Sequence, residues 1–266
     1  MRKILDFLNA KMVEPTLYGW YHLLCWGIVI TVSIIVIFFR RKISVRFVNN
    51  FLLFMGIAFL LFEIYKIIIM TYDDNGLTEF MWYIFPFQFC STPMYLSIIA
   101  GSIRKGKVYD YLISYLATYS LFAGLAVMAL PTTVFISIIG VNIQTMFVHG
   151  GMVIIGILLW VTNTARTVWK TLLKGSVIFA IVVLIAMVLN VIWYFWGTGA
   201  TFNMFYISPW GECNMPILDV IQANAPYVVF LLSYFLGFAL CSSIVLAVAI
   251  FINKLYKSKE NKNRYQ

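Results

Sequence analysis

Long apolar runs separated by short polar connections fill most of this chain. A helix that crosses a membrane needs roughly 20 mostly apolar residues. By that length the pattern predicts seven spanning helices, Leu17–Phe39, Asn50–Met70, Phe80–Ser102, Tyr109–Met128, Met146–Val161, Gly175–Trp196 and Tyr227–Ile252. The predicted fold class is an all-α polytopic membrane protein with seven transmembrane helices, and residues 1–266 form a single transmembrane domain.

Three stretches outside these spans have a pattern of their own. Residues 1–16 alternate charged and apolar positions, which predicts a short amphipathic helix at the membrane interface. Pro131 to Thr145 is apolar but directly precedes another span, and we interpret it as an interfacial or re-entrant segment on the outer face. Residues 197–226 form a long outer loop, and loops of that length are more often functional than idle.

Composition and charge fix the class and the predicted orientation. Hydrophobic residues make up 62% and charged residues 11%, whereas soluble proteins have about 50% and about 25%. Of the 19 Lys and Arg, 15 lie in residues 40–46, 104–107, 166–174 and 254–264. Since positive charge marks the cytoplasmic side, the N-terminus is predicted outside and the C-terminus inside, although Arg2, Lys3 and Lys11 oppose this orientation.

The same charge distribution has further implications. The net charge of +9 reflects the cytoplasmic bias and a basic cytoplasmic tail at 253–266, so we expect membrane lipid and no nucleic acid as a partner. The expected location is the plasma membrane, with multiple passes. His22 and Glu63 lie 41 positions apart, as do His149 and Asn190. This coincidence suggests two parallel repeats of three spans joined by span four, or chance.

Polar residues within the spans share a depth. At about 1.5 Å of rise per residue, these residues fall in the middle or the predicted outer half of their helices, which suggests one cavity that opens outward. The candidates are His22, Glu63, Lys66, Gln88, Cys90, His149, Asn190 and Tyr194.

Glu63 and Lys66 are three residues apart and therefore share one helix face. One interpretation is an internal ion pair that neutralises both charges. The other is functional, because each charge inside a bilayer costs about 2.5–3.5 kcal/mol on insertion scales. Glu63 is also a candidate to orient a histidine ring from a neighbouring span.

Cys90 and the two histidines are the candidates for catalysis. Pro86 and Pro93 break the third span around Cys90 and free backbone groups there. A reactive thiol needs a base, and His149 or His22 could form a Cys–His pair that carries an acyl group as a thioester. Two glycines after His149 would let another helix approach. The alternative is a small residue at a kink and histidines that only bond carbonyls.

These motifs together resemble a known family. They are His22 near the start of span one, Pro86 to Cys90, His149-Gly150, and Asn190 followed by Tyr194. The set is similar to that of the YwaF-type integral membrane proteins of bacteria. Those proteins look related to an animal transmembrane acyltransferase that moves polyunsaturated acyl chains onto ether lysophospholipids.

The resemblance implies a lipid acyltransferase. Cys90 would take the acyl group, His149 would shuttle the proton, and Glu63 or His22 would orient His149. Gln88 or Asn190 would then bond the oxyanion. Two positions depart from the family pattern: Gln88 stands where bacterial members carry His, and Phe87 stands where the animal relatives carry the acyl-bearing Cys.

Other functions fit the same pattern. A small-molecule transporter or ligand-binding protein would use Pro-broken helices and a midplane polar site. A sensor or receptor, or an assembly partner for another membrane protein, is also compatible with seven spans. Two His residues without spaced ligands predict no metal, and we expect no cofactor.

Overall fold

The structure is a computed structural model, which describes residues 2–73, 76–77, 80–131, 134–197 and 202–264. For residues 73, 76–77 and 255–264 it describes the backbone alone. The helices are α1 (Arg2–Leu8), α2 (Trp20–Phe39), α3 (Val45–Met70), α4 (Thr92–Ile103), α5 (Lys107–Tyr115), α6 (Leu121–Ala129), α7 (Ile139–Val161), α8 (Trp169–Trp196), α9 (Leu218–Asn224) and α10 (Tyr227–Arg264). A π-helical turn, Leu116–Ser120, joins α5 to α6.

Short elements complete the described chain. Three 3₁₀ turns lie at Arg40–Lys42, Trp82–Ile84 and Met204–Tyr206. Two short strands, β1 (Tyr72–Asp73) and β2 (Gly76–Leu77), pair antiparallel after α3. Residue 1 of the predicted amphipathic segment, residues 132–133 and 198–201 of the two predicted outer segments, and residues 265–266 of the predicted tail lie outside the described residues.

In the described part of the chain, six helices are long and apolar enough to cross a membrane. They are Trp20–Lys42, Val45–Met70, Lys107–Ala129, Ile139–Val161, Trp169–Trp196 and Tyr227–Lys254. The structure therefore confirms a helical multi-pass membrane protein. The N-outside orientation and the repeat of three, one and three spans stay predictions.

The predicted third span does not form one continuous helix. After the turn at Trp82–Ile84 the chain is irregular, and the helix α4 begins only at Thr92 and ends at Ile103 after 12 residues. Pro86 has no N–H to donate within a helix, whereas Pro93 occupies the first turn of α4, where proline is tolerated. The prediction of seven continuous spans is thus not confirmed.

We predicted that Pro131–Thr145 is an interfacial or re-entrant segment, and this prediction is wrong for its second half, which belongs to a long helix. Helix α7 begins at Ile139, before the predicted start at Met146. The side chain of Asn142 fixes the preceding turn, because Nδ2 donates to the carbonyl of Ile136 at 2.6 Å and Oδ1 accepts from its N–H at 3.0 Å. No proline follows Pro131 in this segment, so nothing stops the helix from starting early.

The N-terminal segment docks onto the start of α7. Helix α1 covers only part of the predicted amphipathic helix, and Lys11 then pairs with Ile138 in an antiparallel bridge. The N–H of Met12 donates to the carbonyl of Ser137 at 2.8 Å. Tyr65 on α3 donates its hydroxyl to the carbonyl of Leu8 at 2.7 Å. This segment therefore covers the end of the bundle where α3 ends and α7 begins.

Helices α3 and α4 approach closely at Gly101. A Cβ at this position would lie 2.5 Å from the backbone N of Leu53 and 2.8 Å from the carbonyl oxygen of Asn49. Both contacts are to backbone of α3, which cannot rotate away as a side chain can. The lack of a side chain at Gly101 thus sets the distance between the two helices.

We expect Gly101→Ala to lower the melting temperature of the protein in detergent micelles. The added methyl group must push α4 away from α3, and overpacking of this kind costs about 1–3 kcal/mol. Circular dichroism at 222 nm during heating measures the change.

Gly27→Ala is the matched control, because a Cβ at Gly27 on α2 meets no atom of the described residues within 4 Å. Alanine is also the better helix former, so this variant should melt at the same temperature as the unaltered protein or slightly above it. Equal melting temperatures for both variants would contradict the proposed close approach at Gly101.

Candidate functional site

The side chain of Gln88 holds the loop before α9 across the broken third segment. Its Nε2 donates to the carbonyl of Asn203 at 3.0 Å, and its Oε1 accepts from the N–H of Phe205 at 2.9 Å. Phe205 and Tyr206 both adopt positive φ, 60° and 56°, which is uncommon for residues with a side chain. Such strained backbone persists only where the surrounding structure fixes it, and the two hydrogen bonds of Gln88 help to fix it here.

Asn190 on α8 holds the same loop from the other side. Its Oδ1 accepts from the N–H of Met204 at 2.7 Å, and its Nδ2 donates to the carbonyl of Met204 at 3.0 Å. Asn190 and Met204 are both buried. Two predicted site residues therefore converge on residues 203–205, and both of their amide groups are engaged there.

A cavity of about 760 Å³ lies beside this loop, and we call it the outer-loop cavity. Gln88, Asn190 and Tyr194 all line it, so the structure brings three predicted site residues to one place. Tyr194 stacks on Trp210 with 3.7 Å between ring centroids. The exposed Glu212 adds a carboxylate to the lining. The cavity thus combines aromatic faces with one acidic group.

A second polar group, the inner polar cluster, joins α3 to α7 and consists of Glu63, Lys66, Gln144, Thr145 and His149. Lys66 Nζ lies 2.6 Å from Glu63 Oε1, so the predicted pair forms. Gln144 Nε2 donates to the other carboxylate oxygen of Glu63 at 3.4 Å. Thr145 Oγ1 donates to Gln144 Oε1 at 3.3 Å. The carboxylate is therefore shared between two helices.

His149 is buried with one ring nitrogen bound and one free. Its Nδ1 lies 2.7 Å from the carbonyl oxygen of Thr145, one turn earlier on α7. A carbonyl only accepts, so Nδ1 carries the proton and a neutral ring has its lone pair on Nε2. Nε2 is buried, and it has no hydrogen-bond partner within the described residues. An unsatisfied buried group of this kind costs about 1–3 kcal/mol.

Cys90 lies near the inner polar cluster as a half-buried free thiol. It interacts electrostatically with Lys66 and Glu63. His149 also interacts electrostatically with Lys66. The thiol and the imidazole therefore share the field of one ammonium group, but no hydrogen bond joins them, since Nε2 of His149 lacks a partner in the part of the chain described.

His22 does not join these residues through its ring nitrogens. Nδ1 accepts from the N–H of Tyr18 at 3.0 Å, and Nε2 donates to the carbonyl of Met128 at 2.7 Å. Trp26 Nε1 donates to the same carbonyl at 2.7 Å. Both nitrogens of His22 are thus occupied by backbone, and the ring anchors α2 to the end of α6. It is not available in this structure to act as a base or to orient His149.

The structure adds site residues that the sequence pattern did not indicate. The hydroxyl of Tyr115 lies 2.8 Å from Thr92 Oγ1, which donates to the carbonyl of Phe89 at 2.9 Å. Tyr115 also interacts electrostatically with Cys90. It directly precedes the π-helical turn, and such turns are frequent at functional sites. Gln144 was missed because span five was predicted to start after it.

The other three cysteines are also free thiols. Cys213 is buried in the loop before α9, and its N–H donates to Gln222 Oε1 at 2.6 Å. Burial raises the pKa of the Cys213 thiol, so this group stays protonated at neutral pH. Burial disfavours the thiolate of Cys90 as well, and the contact with Lys66, which opposes burial, is what distinguishes Cys90 from Cys213.

The TMEM164 family model matches residues 17–252, which include both the inner polar cluster and the outer-loop cavity. No curated protein and no solved structure matches the chain.

We expect Asn190→Ala to loosen residues 202–208. The change leaves the buried N–H and carbonyl of Met204 without their partner, at about 1–3 kcal/mol for each group. Hydrogen–deuterium exchange followed by mass spectrometry should show faster exchange in this loop than in the unaltered protein.

Asn224→Ala is the control, since within the described residues Asn224 Nδ2 donates to the carbonyl of Val220 at 2.9 Å, in the exposed part of α9, and not to residues 202–208. It should leave exchange at 202–208 unchanged. Unaltered exchange in Asn190→Ala would show that Asn190 does not hold the loop.

Proposed function

The chain belongs to the TMEM164 family, and on that premise we propose that this integral membrane protein is a lipid acyltransferase that uses Cys90 and His149. The observation that carries the proposal is the free Nε2 of His149, which is buried beside a polar cluster. The resemblance of Pro86 to Cys90 and of His149-Gly150 to the YwaF-type proteins supports the same reaction. We place the protein in the plasma membrane, with membrane lipid as its partner.

His149 has the features of a general base. A base that serves a nucleophile is itself oriented by a third group. Here Nδ1–H donates a hydrogen bond to the carbonyl of Thr145 at 2.7 Å, which keeps the proton on Nδ1 and leaves the lone pair on Nε2. A buried nitrogen that bonds nothing within the described residues is costly to a structure, and a catalytic role gives the cost a reason.

Cys90 is the candidate nucleophile, although its burial opposes the formation of a thiolate. Burial disfavours a thiolate most strongly, the ammonium of Lys66 favours it, and the carboxylate of Glu63 disfavours it. The bond at 2.6 Å between Lys66 and Glu63 keeps that ammonium in place. Lys66 can therefore stabilise negative charge that develops on sulfur, while Glu63 and Gln144 hold Lys66 and the adjacent turn of α7.

The proposed reaction has two balanced steps. In the first, the Cys90 sulfur attacks the ester carbonyl of a donor lipid, His149 takes the thiol proton, and that proton passes to the departing lipid alkoxide. In the second, the hydroxyl of a lysolipid gives its proton to His149 and attacks the thioester. The new ester forms, the carbon–sulfur bond breaks, and the thiolate regains the proton from His149.

In this proposal Gln88 and Asn190 hold the loop beside the outer-loop cavity and take no part in the chemical steps. Their amide groups bond the backbone of residues 203–205, so neither is available in this structure to stabilise an oxyanion. They shape the outer-loop cavity instead. The aromatic pair Tyr194 and Trp210 together with Glu212 suits a lipid headgroup that carries an ammonium.

We expect Cys90→Ala to abolish acyl exchange between phospholipids in reconstituted vesicles, and intact-mass spectrometry should show an acyl adduct that the variant lacks. His149→Ala should slow the exchange by about 10²- to 10⁴-fold, as the loss of a general base does.

Cys241→Ala is the control, because Cys241 is a half-buried free thiol on α10. It should retain both the exchange and the adduct. Full exchange by Cys90→Ala, with that variant correctly folded, would remove the thioester mechanism.

A transporter or ligand-binding protein is the second candidate function. The observation that favours it is the buried network of Glu63, Lys66 and Gln144, which links α3 to α7 inside the apolar bundle. Ionisable groups within a membrane often mark a substrate or ion pathway.

For this second function we expect Glu63→Gln to lower solute uptake by reconstituted liposomes, because it removes the charge that balances Lys66. Cys90→Ser should be nearly silent in the same assay. No uptake by the unaltered protein would contradict the transporter, and uptake that depends on Cys90 and not on Glu63 would contradict a pathway through Glu63.

A further inference from the structure

Tyr115 is a fully buried tyrosine whose hydroxyl reaches the turn that carries Cys90. It is the last residue of α5, and its exposed fraction is 0%. Its hydroxyl lies 2.8 Å from Oγ1 of Thr92, the first residue of α4, which is also buried. A buried tyrosine hydroxyl usually finds a hydrogen-bond partner. Here that partner lies two residues after the candidate nucleophile, so the contact joins α5 to the reactive segment.

The hydrogen bonds around Thr92 have only one possible direction. Thr92 Oγ1 donates its single hydrogen to the carbonyl of Phe89 at 2.9 Å, and a carbonyl can only accept. The hydroxyl of Tyr115 must therefore donate to Thr92 Oγ1. The result is a chain of two hydrogen bonds from Tyr115 through Thr92 to the backbone of Phe89. Hydrogen bonds in such a chain strengthen each other.

This chain of bonds closes the turn of residues 89–92, which contains Cys90. The backbone contributes a bond from the N–H of Ser91 to the carbonyl of Gln88 at 2.9 Å. The side chain of Ser91, the N-cap of α4, forms no capping bond in the part of the chain described. The hydroxyl of Thr92 therefore supplies side-chain support for this turn, and the hydroxyl of Tyr115 fixes the orientation of Thr92.

The helix that carries Tyr115 also contacts His149. Helix α5, the π-helical turn and α6 form one helix, Lys107–Ala129. A Cβ at Gly124 on this helix would lie 2.7 Å from the carbonyl oxygen of His149. The same helix thus packs against the backbone of the candidate base and bonds the turn of the candidate nucleophile. It is well placed to set their relative position.

We propose that Tyr115 is a positioning residue that, through Thr92, fixes the Cys90 thiol for acyl transfer. This inference rests on the proposed function, because a reacting sulfur must be held in place far more closely than a packing residue. A misplacement of about 1 Å can slow a reaction on the order of 10²-fold. The electrostatic interaction between Tyr115 and Cys90 agrees with their proximity.

Tyr115→Phe tests the proposal, because it removes the hydroxyl and keeps the ring. In reconstituted vesicles we expect kcat for acyl exchange to fall about tenfold with KM unchanged, since Tyr115 holds the thiol and not the lipid. Thr92→Val removes both hydrogen bonds and should lower kcat at least as much. Thr92→Ser keeps the hydroxyl and should restore the rate. Adding Tyr115→Phe to Thr92→Val should cause no further loss, because the two residues act in series.

A second measurement does not need acyl transfer. Alkylation of Cys90 by N-ethylmaleimide, followed by peptide mass spectrometry, reports how firmly the turn holds the half-buried thiol. We expect Tyr115→Phe to speed this alkylation about fivefold, as the loss of one hydrogen bond does when local opening exposes a group. Alkylation of Cys213 in the same sample should not change, and it serves as the internal standard.

Tyr119→Phe is the matched control. Tyr119 lies on the same helix, and its hydroxyl lies 2.8 Å from Ser176 Oγ on α8 instead of at the turn of Cys90. This variant loses a similar bond and should melt at the same temperature as Tyr115→Phe, yet keep the kcat and the Cys90 alkylation of the unaltered protein. Equal Cys90 alkylation in the two phenylalanine variants would overturn the proposal.

The two measurements separate this inference from the proposed function. If the unaltered protein exchanges no acyl groups, the proposed function fails, and Cys90 alkylation alone still decides whether Tyr115 fixes the thiol. If exchange is present and Tyr115→Phe retains the full kcat, acyl transfer stands and the positioning role of Tyr115 is overturned.

Discussion

Backbone groups that leave a helix inside a membrane must find partners within the protein, and this constraint shapes the site. Pro86 and Pro93 prevent one continuous third helix, so the loop around residues 203–205 folds against the gap. The side-chain amides of Gln88 and Asn190 satisfy the amide and carbonyl groups of that loop. Two side chains, and not a helix, therefore satisfy the backbone groups of the loop beside the outer-loop cavity.

Close helix packing explains why His149 is buried next to charge. A Cβ at Gly150 would lie 2.6 Å from Val29 on α2, and one at Gly151 would lie 2.7 Å from Phe59 on α3. Helices α2 and α3 can therefore approach α7 at the turn that carries the imidazole. Glu63 and Lys66 come with α3, and Thr145 precedes His149 by one turn. Glycine at positions 150 and 151 thus allows the close packing that buries the His149 ring beside Glu63 and Lys66.

Local patterns in the sequence predict part of this arrangement and tertiary contacts decide the rest. The apolar runs predict the long helices, and the spacing of Glu63 and Lys66 predicts their pair, because both are properties of single helices. The partner of Asn190 lies in a loop with no regular pattern, and the carbonyl that binds His22 belongs to α6. Neither contact follows from periodicity. The functional assignment of Cys90 and His149 stays a prediction.

The pairing of the N-terminal segment with the start of α7 constrains the order of assembly during synthesis. Met12 bonds Ser137, so the residues around Met12 have no docking site until the middle of the chain has been synthesised. At about 5–20 residues per second, that interval is on the order of ten seconds. During this time an insertion factor or a chaperone could engage the unpaired segment.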